Sequence, residues 1–535
     1  MTGGRFLAAL PSAERMPITH RLFAPVVALL IVLMAIAAVP AHASDDQQSI
    51  MMDDDQLLYS GDQVRDAALH KMAAAGVDMV RVTVLWSVVA DRARTGKANR
   101  KRFDKYGAAN PKAYPKLNWD RYDRLVRACR QLGIWPYFDL TPPGPRWAHA
   151  RAPRSERANQ KTWMPKPSEF AKFVEAVGRR FSGAYKDEND RHQLIPLVFV
   201  WSLGNEPNQG GWLTPQWWHG KLYSPRLYRT LYFAGRRALD KTGHGRDAIF
   251  GGETAPLGSS KRQTRSPVRP KLFVEQLLCA NGHTDAGCSD FDKYGPLQMT
   301  AWAHHPYTKF LSPLQRDKNS DSITMANIGE LPTLLDDLSA QTGHIGTGLP
   351  VVSTEFGYET NPPDKYVGIS LRKQADYLTL GDYITYLNPR IAGNTQFLLK
   401  DVAPLRKYPN TSRHYWFTYQ SGILTRSGKA KPSAQAYVMP FLAQGTGTPL
   451  VANVWGQLRF RPNNLPEGAQ DQVQIEFKPA DGSADWAPLG DPITVTNGRG
   501  YFAGQVTAPA AGQLRASWSS SQFPYSAHSR AYPIS

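Results

Sequence analysis

Only three cysteines occur among 535 residues, too few for a disulfide-stapled scaffold, and no His/Cys spacing suggests a structural zinc site. Charged residues make up 20% and hydrophobic residues 42%, a balance that excludes a disordered chain. Internal repeats are missing, which excludes a solenoid or propeller. Basic clusters such as Asn99-Arg-Lys-Arg-Phe103 belong to no recognisable nucleic-acid motif, so nucleic acid is not an expected partner. One apolar run stands out, from Phe23 to Val39. It follows Arg15 and Arg21 and precedes Ala41-His42-Ala43, the small-residue pattern of a leader cleaved before Ser44. Met16 is an alternative start. A membrane anchor is the rival reading, because the run approaches the ~18–20 residues that span a bilayer. The A-x-A pattern and the lack of a basic stop-transfer flank favour cleavage. Residues 1–43 are therefore read as a signal peptide, with an extracellular mature chain and no membrane association after cleavage.

Basic charge, by contrast, is in excess. The net charge is +18, of which residues 1–43 carry +2. A basic secreted protein is suited to adhere to anionic wall polymers or acidic polysaccharides; general surface solubility is the plainer explanation. Aromatic residues are also plentiful, with 14 Trp and 23 Tyr, available for core packing or for stacking on sugars. Cys279 and Cys288 flank an eight-residue loop rich in Gly, Asn and Asp and suit one short bridge, while Cys129 falls in a helical stretch and reads as a buried free thiol.

From about residue 50 to 445, helical patterns alternate with short β-branched or aromatic runs, the signature of βα units around a parallel sheet. Helices are expected at Val64 to Ala75, Trp119 to Leu132, Ser168 to Phe181 (with Ser168 as cap) and Tyr228 to Lys241. Strands follow at Val77 to Leu85, Ile134 to Leu140, Leu197 to Leu203, Ala248 to Gly252, Met299 to His304, Leu349 to Thr354 and Asn394 to Leu399. With about eight such units, the fold class is α/β: a (β/α)8 TIM barrel over residues 44–445. After Pro440 helical patterning disappears. Alternating runs separated by Gly, Pro, Asp and Asn predict a small antiparallel β-sandwich over residues 446–535. It either binds carbohydrate or covers one side of the barrel; Trp455, Trp486 and Trp518 form no evident aromatic cluster, which favours covering.

Each apolar run ends in polar or aromatic groups: Arg81 to Trp86, Asp139 to Trp147, Asn205-Glu206, Glu253, His304 to Tyr307, Glu355. A barrel places its active site where its strands end, so these remote residues should converge on one cleft. Two of the groups are carboxylates three βα units apart, Glu206 and Glu355. Glycoside cleavage needs such a pair, one acid to protonate the leaving oxygen and one ionised group to attack the anomeric carbon.

The motifs Asn205-Glu206-Pro207 after the fourth strand and Thr354-Glu355-Phe356-Gly357 after the seventh resemble the acid/base and nucleophile motifs of clan A glycoside hydrolases, especially families 5 and 39. The resemblance covers the whole barrel. It implies a retaining enzyme that hydrolyses β-linked oligo- or polysaccharides through a covalent glycosyl-enzyme, with no metal and no cofactor. Glu206 would be the acid/base and Glu355 the nucleophile. Asn205 resembles the amide that hydrogen-bonds the sugar 2-hydroxyl. Tyr307 resembles the phenol that orients the nucleophile, His305 would line the wall near the acid/base, and Arg81 resembles the guanidinium that keeps the nucleophile ionised. Glu206, beside an ionised Glu355, would have its pKa raised. Trp86 and Trp147 are candidate sugar platforms, as are Trp212, Trp217 and Trp302. One departure concerns the eighth strand, where clan A enzymes often carry a Trp and this chain reads Gln396-Phe-Leu-Leu-Lys-Asp401. Phe397 or Lys400 would stand in, and a lysine there would suit an anionic sugar. Two competing functions stay open: a transglycosylase on the same site, and a non-catalytic carbohydrate-binding or cell-wall protein that keeps the barrel.

Overall fold

The computed structural model describes residues 44–285, 287–460, 471–519 and 526–535; the signal-peptide reading of residues 1–43 lies outside the described residues. Eight parallel strands close into a barrel: β1 (Gln48–Met52), β2 (Met79–Leu85), β3 (Trp135–Thr141), β4 (Val200–Leu203), β5 (Ala248–Thr254), β6 (Ala301–His304), β7 (Val351–Phe356) and β8 (Ile391–Phe397). β1 closes the ring by pairing with both β8 and β2. Strands with helices outside and packed side chains inside are buried on both faces, which is why β7 has every residue buried, its polar Ser353, Thr354 and Glu355 included. The expected barrel is thus present. β1 is the strand with no counterpart among the expected runs, since QSIMM contains a single β-branched residue.

Helices Asp62–Ala74, Asp120–Gln131, Pro167–Arg180 and Ser224–Lys241 match expectation to within a few residues at their ends. The exception is the cap at the third. Lys166 occupies the N-cap and Pro167 the first turn, so Ser168 lies inside the helix and caps nothing. Cys279 and Cys288 are joined and Cys129 is a buried free thiol, as expected. No helix among the described residues is long and apolar enough to cross a membrane.

The antiparallel region begins earlier than residue 446. Phe441–Gly445 already pairs with Val451–Gln457, which pairs in turn with Tyr501–Thr507. A second antiparallel sheet is built on Asp471–Pro479 and Gly512–Ser519, and Val454, Ile475, Leu514 and Trp518 share its core with the first sheet. This module is tied to the barrel away from the strands' C-terminal ends. Arg499 pairs with Asp78, just before β2, at 2.9 Å, and Arg459 and Arg530 pair with Asp382 and Asp376 of helix Leu371–Tyr386 at 2.9 and 2.6 Å. Trp455 packs on Tyr383 and Tyr386 of the same helix. The approach is close enough that Gly76 (φ +78°) admits no side chain: a Cβ there would lie 1.8 Å from the Arg459 carbonyl oxygen. The module covers the barrel's flank and leaves its mouth open.

Candidate active site

β4 ends at Leu203, and Gly204 (φ +96°) turns the chain across the barrel mouth. The Asn205 N–H then donates to Thr141 Oγ1 (2.7 Å) and the Glu206 N–H to the Glu253 carbonyl (2.9 Å). Glu206 and Glu253 both hold left-handed backbone, φ +39° and +45°. Each such conformation costs a non-glycine residue ~1–3 kcal/mol and persists where the surroundings over-determine it, as they do at functional sites. β7 delivers Glu355 from the opposite side, and the segment after β6 delivers His305 and Tyr307.

His305 links the two motif carboxylates. Its Nδ1 lies 3.0 Å from Glu206 Oε1 and 3.6 Å from Glu355 Oε2, and one ligating atom from each of the three residues lies within 4.8 Å of the others. Below them, Arg81 is fully buried and spreads its guanidinium over four oxygens: Nη1 donates to Glu355 Oε1 (2.8 Å), Nη2 to Asn205 Oδ1 (2.7 Å), Glu253 Oε2 (3.0 Å) and Asp139 Oδ2 (3.3 Å). Tyr307 donates its hydroxyl to Glu355 Oε2 (3.1 Å). Arg81, Asn205, Glu206, His305, Tyr307 and Glu355 therefore form one hydrogen-bonded group.

Glu253 carries no expected role, yet it is the hub beneath the pair. Fully buried, it accepts from Arg81, from His305 Nε2 (2.7 Å), from Thr354 Oγ1 (2.8 Å) and from the Tyr137 hydroxyl. Burial alone would raise its carboxyl; Arg81 and His305 overcome that and hold it below the usual carboxylate range. The sequence cue was present in Gly251-Gly252-Glu253 at a strand end, but nothing local tells a charge hub from an exposed carboxylate. Burial likewise pushes Asp139 up to about 8.

His305 is an imidazolium here. Burial works against its charge, but Glu355, Glu206 and Glu253 outweigh burial and lift its pKa from the ordinary 6.5 to about 10. A base raised in the folded state stabilises fully below its unfolded pKa and loses that contribution as pH rises through the folded one. We therefore expect the Tm advantage of the wild type over His305→Gln to be constant below about pH 6.5 and to disappear by about pH 10. A pH series of thermal melts measures it; an advantage that is flat across this window would contradict the charge assignment. Arg81 is one of several influences on Glu355. Burial is the largest influence and raises its carboxyl above the ordinary 4.5, with His305 and Arg81 pulling it back down. Tyr307, half-buried beside Glu355, is raised well above 10 by desolvation and by Glu355 and stays a phenol that donates.

The geometry does not suit a metal. Both His305 nitrogens already face carboxylates, and an imidazolium repels a cation. In the other cluster, Cys279, Asp285 and Cys288, the two sulfurs are bonded to each other.

A cleft of ≈ 750 Å³ opens over Glu206 and Glu355, inside the ~300–1,000 Å³ range of small-molecule sites. Trp212, Tyr307, Phe310, Phe397 and Tyr419 supply its aromatic surface, and Asp54 and Glu359 add carboxyl groups that burial raises to about 6 and about 8. Of the five candidate tryptophan platforms, only Trp212 reaches this cleft. Trp86 is fully buried between His149, Phe170 and Phe173, with no face to offer a sugar. Trp217 and Trp302 are buried too, and Trp147 lies at a separate hollow outside β2 and β3. At the eighth strand Phe397 lines the cleft and Lys400 does not; the Lys400 backbone N–H is held by Asp53 Oδ2 at 3.0 Å. The cations that do line the cleft are Lys309 and Arg413, set against Asp54, Asp55, Glu206, Glu355 and Glu359. Lys400, on which the expectation of an anionic sugar rested, thus does not reach the cleavage point.

No protein-family model matches this chain, and no curated protein matches it. Among solved structures it is similar to a family 39 glycoside hydrolase from Bacteroides cellulosilyticus WH2 (15% identity, TM-score 0.45, covering 87% of this chain and 81% of that one). It is also similar to a glucosidase from Croceicoccus marinus (13%, TM-score 0.48, 88% and 95%) and to an endo-β-1,4-mannanase from Thermotoga petrophila (10%, TM-score 0.41, 92% and 98%). Likeness at this level assigns no activity; that rests on the side chains at the barrel mouth.

Proposed function

We propose that the protein is a secreted glycoside hydrolase that cleaves β-linked oligo- or polysaccharides with retention of configuration. The observation that carries this reading is the approach of Glu206 and Glu355 across one cleft, with ligating atoms within 4.8 Å. Retaining enzymes hold their carboxyl groups ~5–5.5 Å apart so that one can bond the sugar directly, whereas inverting enzymes leave ~6.5–9.5 Å for a water. Glu206, with 21% of its side chain exposed, faces the leaving group and protonates the glycosidic oxygen. Glu355, positioned by Arg81 and Tyr307, attacks the anomeric carbon and forms the glycosyl ester. Glu206 then takes a proton from the water that opens the ester. Because Arg81 occupies Asn205 Oδ1, the amide presents its Nδ2 hydrogens to the cleft, where the sugar 2-hydroxyl can accept one as charge develops.

A non-catalytic barrel would be free to lose a carboxylate or a supporter, and here every member is present and hydrogen-bonded. The test is a panel of aryl β-glycosides of common sugars, with the first-formed anomer read by proton NMR. The β-anomer is expected first; the α-anomer first, or no turnover of any panel member, overturns the proposal.

A further inference from the structure

Beside the catalytic cleft lies a second hollow, of ≈ 1130 Å³, formed by the segments that follow β2 and β3. Arg92, Arg94, Arg146, Arg151, Arg157 and Lys161 line it, with Asp91 as its acidic member. All six cations are exposed, and Arg92 makes only a loose pair with Asp91 at 3.8 Å. Among the described residues, Arg94, Arg146, Arg151, Arg157 and Lys161 have no carboxylate partner. Some exposed cations elsewhere pair with carboxylates, such as Arg124 with Asp62 and Asp120; what sets this hollow apart is that its cations face one concavity. So many unneutralised guanidinium groups around one concavity repel each other, and an anion relieves that repulsion.

The surrounding chain reinforces the field. Residues 91–116 carry nine Lys and Arg against two Asp, and residues 146–161 carry five against one Glu. The basic helix Gly96–Tyr106 is fixed to the hollow through Phe103, whose ring meets Trp147 edge-on at 5.1 Å. The cluster Asn99-Arg-Lys-Arg-Phe103 thus has a location, though no nucleic-acid motif. Trp147 is partly exposed and is shared with an adjoining lobe of ≈ 460 Å³ that Arg146 and Arg151 also line. Arg94 stands over one face of the indole at 5.6 Å.

Both the hollow and the cleft open at the C-terminal ends of the strands. Thr83 lines the cleft and Leu85, two residues further along β2, lines the hollow; the Asn205 N–H of the cleft donates to Thr141 Oγ1, just before Pro143 of the hollow. β2 thus contributes to both. We propose that this hollow is a distal saccharide subsite that takes uronic-acid residues, their carboxylates held by the planar guanidinium forks. The enzyme then selects acidic polysaccharides by charges remote from the bond it cuts. An oligonucleotide offers anions too, but its binding would leave the neighbouring cleft unexplained.

The idea rests on the hydrolase reading for the direction of the polymer, and the test separates the two. Titration calorimetry with full-length protein would compare a galacturonic-acid oligosaccharide, a neutral β-glucan oligosaccharide of equal length and a single-stranded oligonucleotide. We expect the wild type and Glu355→Gln to bind the uronate equally well, with affinity falling as salt rises. The triple variant Arg146→Ala/Arg151→Ala/Arg157→Ala should bind it at least about tenfold more weakly, because charge-assisted contacts are lost. That variant should keep wild-type turnover of small aryl glycosides. Undiminished uronate binding by the triple variant, equal binding of the neutral oligosaccharide, or tighter binding of the oligonucleotide overturns the subsite, whatever the fate of the hydrolase proposal.

Discussion

Replacing Glu355 by Gln is expected to lower kcat by at least about 10⁴-fold, the order seen when a covalent nucleophile is removed, while leaving substrate affinity nearly unchanged. The amide keeps the shape of the carboxylate: its oxygen can accept from Arg81, 2.8 Å from Oε1 in the wild type, and its NH2 can donate to the Tyr307 hydroxyl oxygen, 3.1 Å from Oε2, once that hydroxyl turns. What it loses is the charge and the lone pair that attack the anomeric carbon. The Arg81 guanidinium is not stranded by the change, since Glu253 and Asp139 remain beside it, so the variant should fold. Turnover within about tenfold of wild type, in a variant whose thermal melt is intact, would contradict the assignment, because general acid–base assistance alone accounts for ~10²–10⁴.

The second large effect concerns Glu206, and it depends on the leaving group. In Glu206→Ala, hydrolysis of substrates with a poor leaving group, such as another sugar, should fall by ~10²–10⁴, the usual worth of a positioned acid. A dinitrophenyl leaving group needs no proton, so formation of the glycosyl-enzyme from it should be almost unaffected. Its breakdown should then be slow, because the same residue activates water. Azide needs no general base and should restore turnover, yielding a β-glycosyl azide. A loss of equal size for both kinds of leaving group, or an α-azide, would remove Glu206 from the acid/base role. His305 is a positioning residue in this scheme: at 3.0 Å from Glu206 and 3.6 Å from Glu355, it sets the charge both carboxylates experience.

How far the sequence revealed this site depends on the kind of information each residue carries. Glu206 and Glu355 were legible because a barrel converts strand ends into a common rim, so two carboxylates at strand ends need no further contact to be brought together. Asn205 and Tyr307 were legible only through their resemblance to the supporting residues of the clan A motifs. Glu253 was not legible in the same way. Its importance lies in contacts with Arg81, His305, Thr354 and Tyr137, which come from four other parts of the chain. Tryptophan identity also says nothing about the face it serves: Trp86 belongs to the core behind β2, while Trp212 belongs to the cleft. Among fold elements, β1 escaped notice for want of branched residues, and Phe441–Gly445 reads as the tail of the barrel although its partner lies in the sandwich. Strand pairing is a non-local property, and short strands carry little local propensity to announce it.

The account's central claim is that Glu355 bonds the sugar. The direct measurement is to incubate the protein with a dinitrophenyl β-glycoside fluorinated next to the anomeric carbon, which slows the second step more than the first, then digest it and sequence the labelled peptide by mass spectrometry. The expected result is one glycosyl unit on the peptide containing Val352-Ser-Thr-Glu355, placed on Glu355. A label on Glu206, or turnover of the unfluorinated substrate with inversion and no label anywhere, would contradict it.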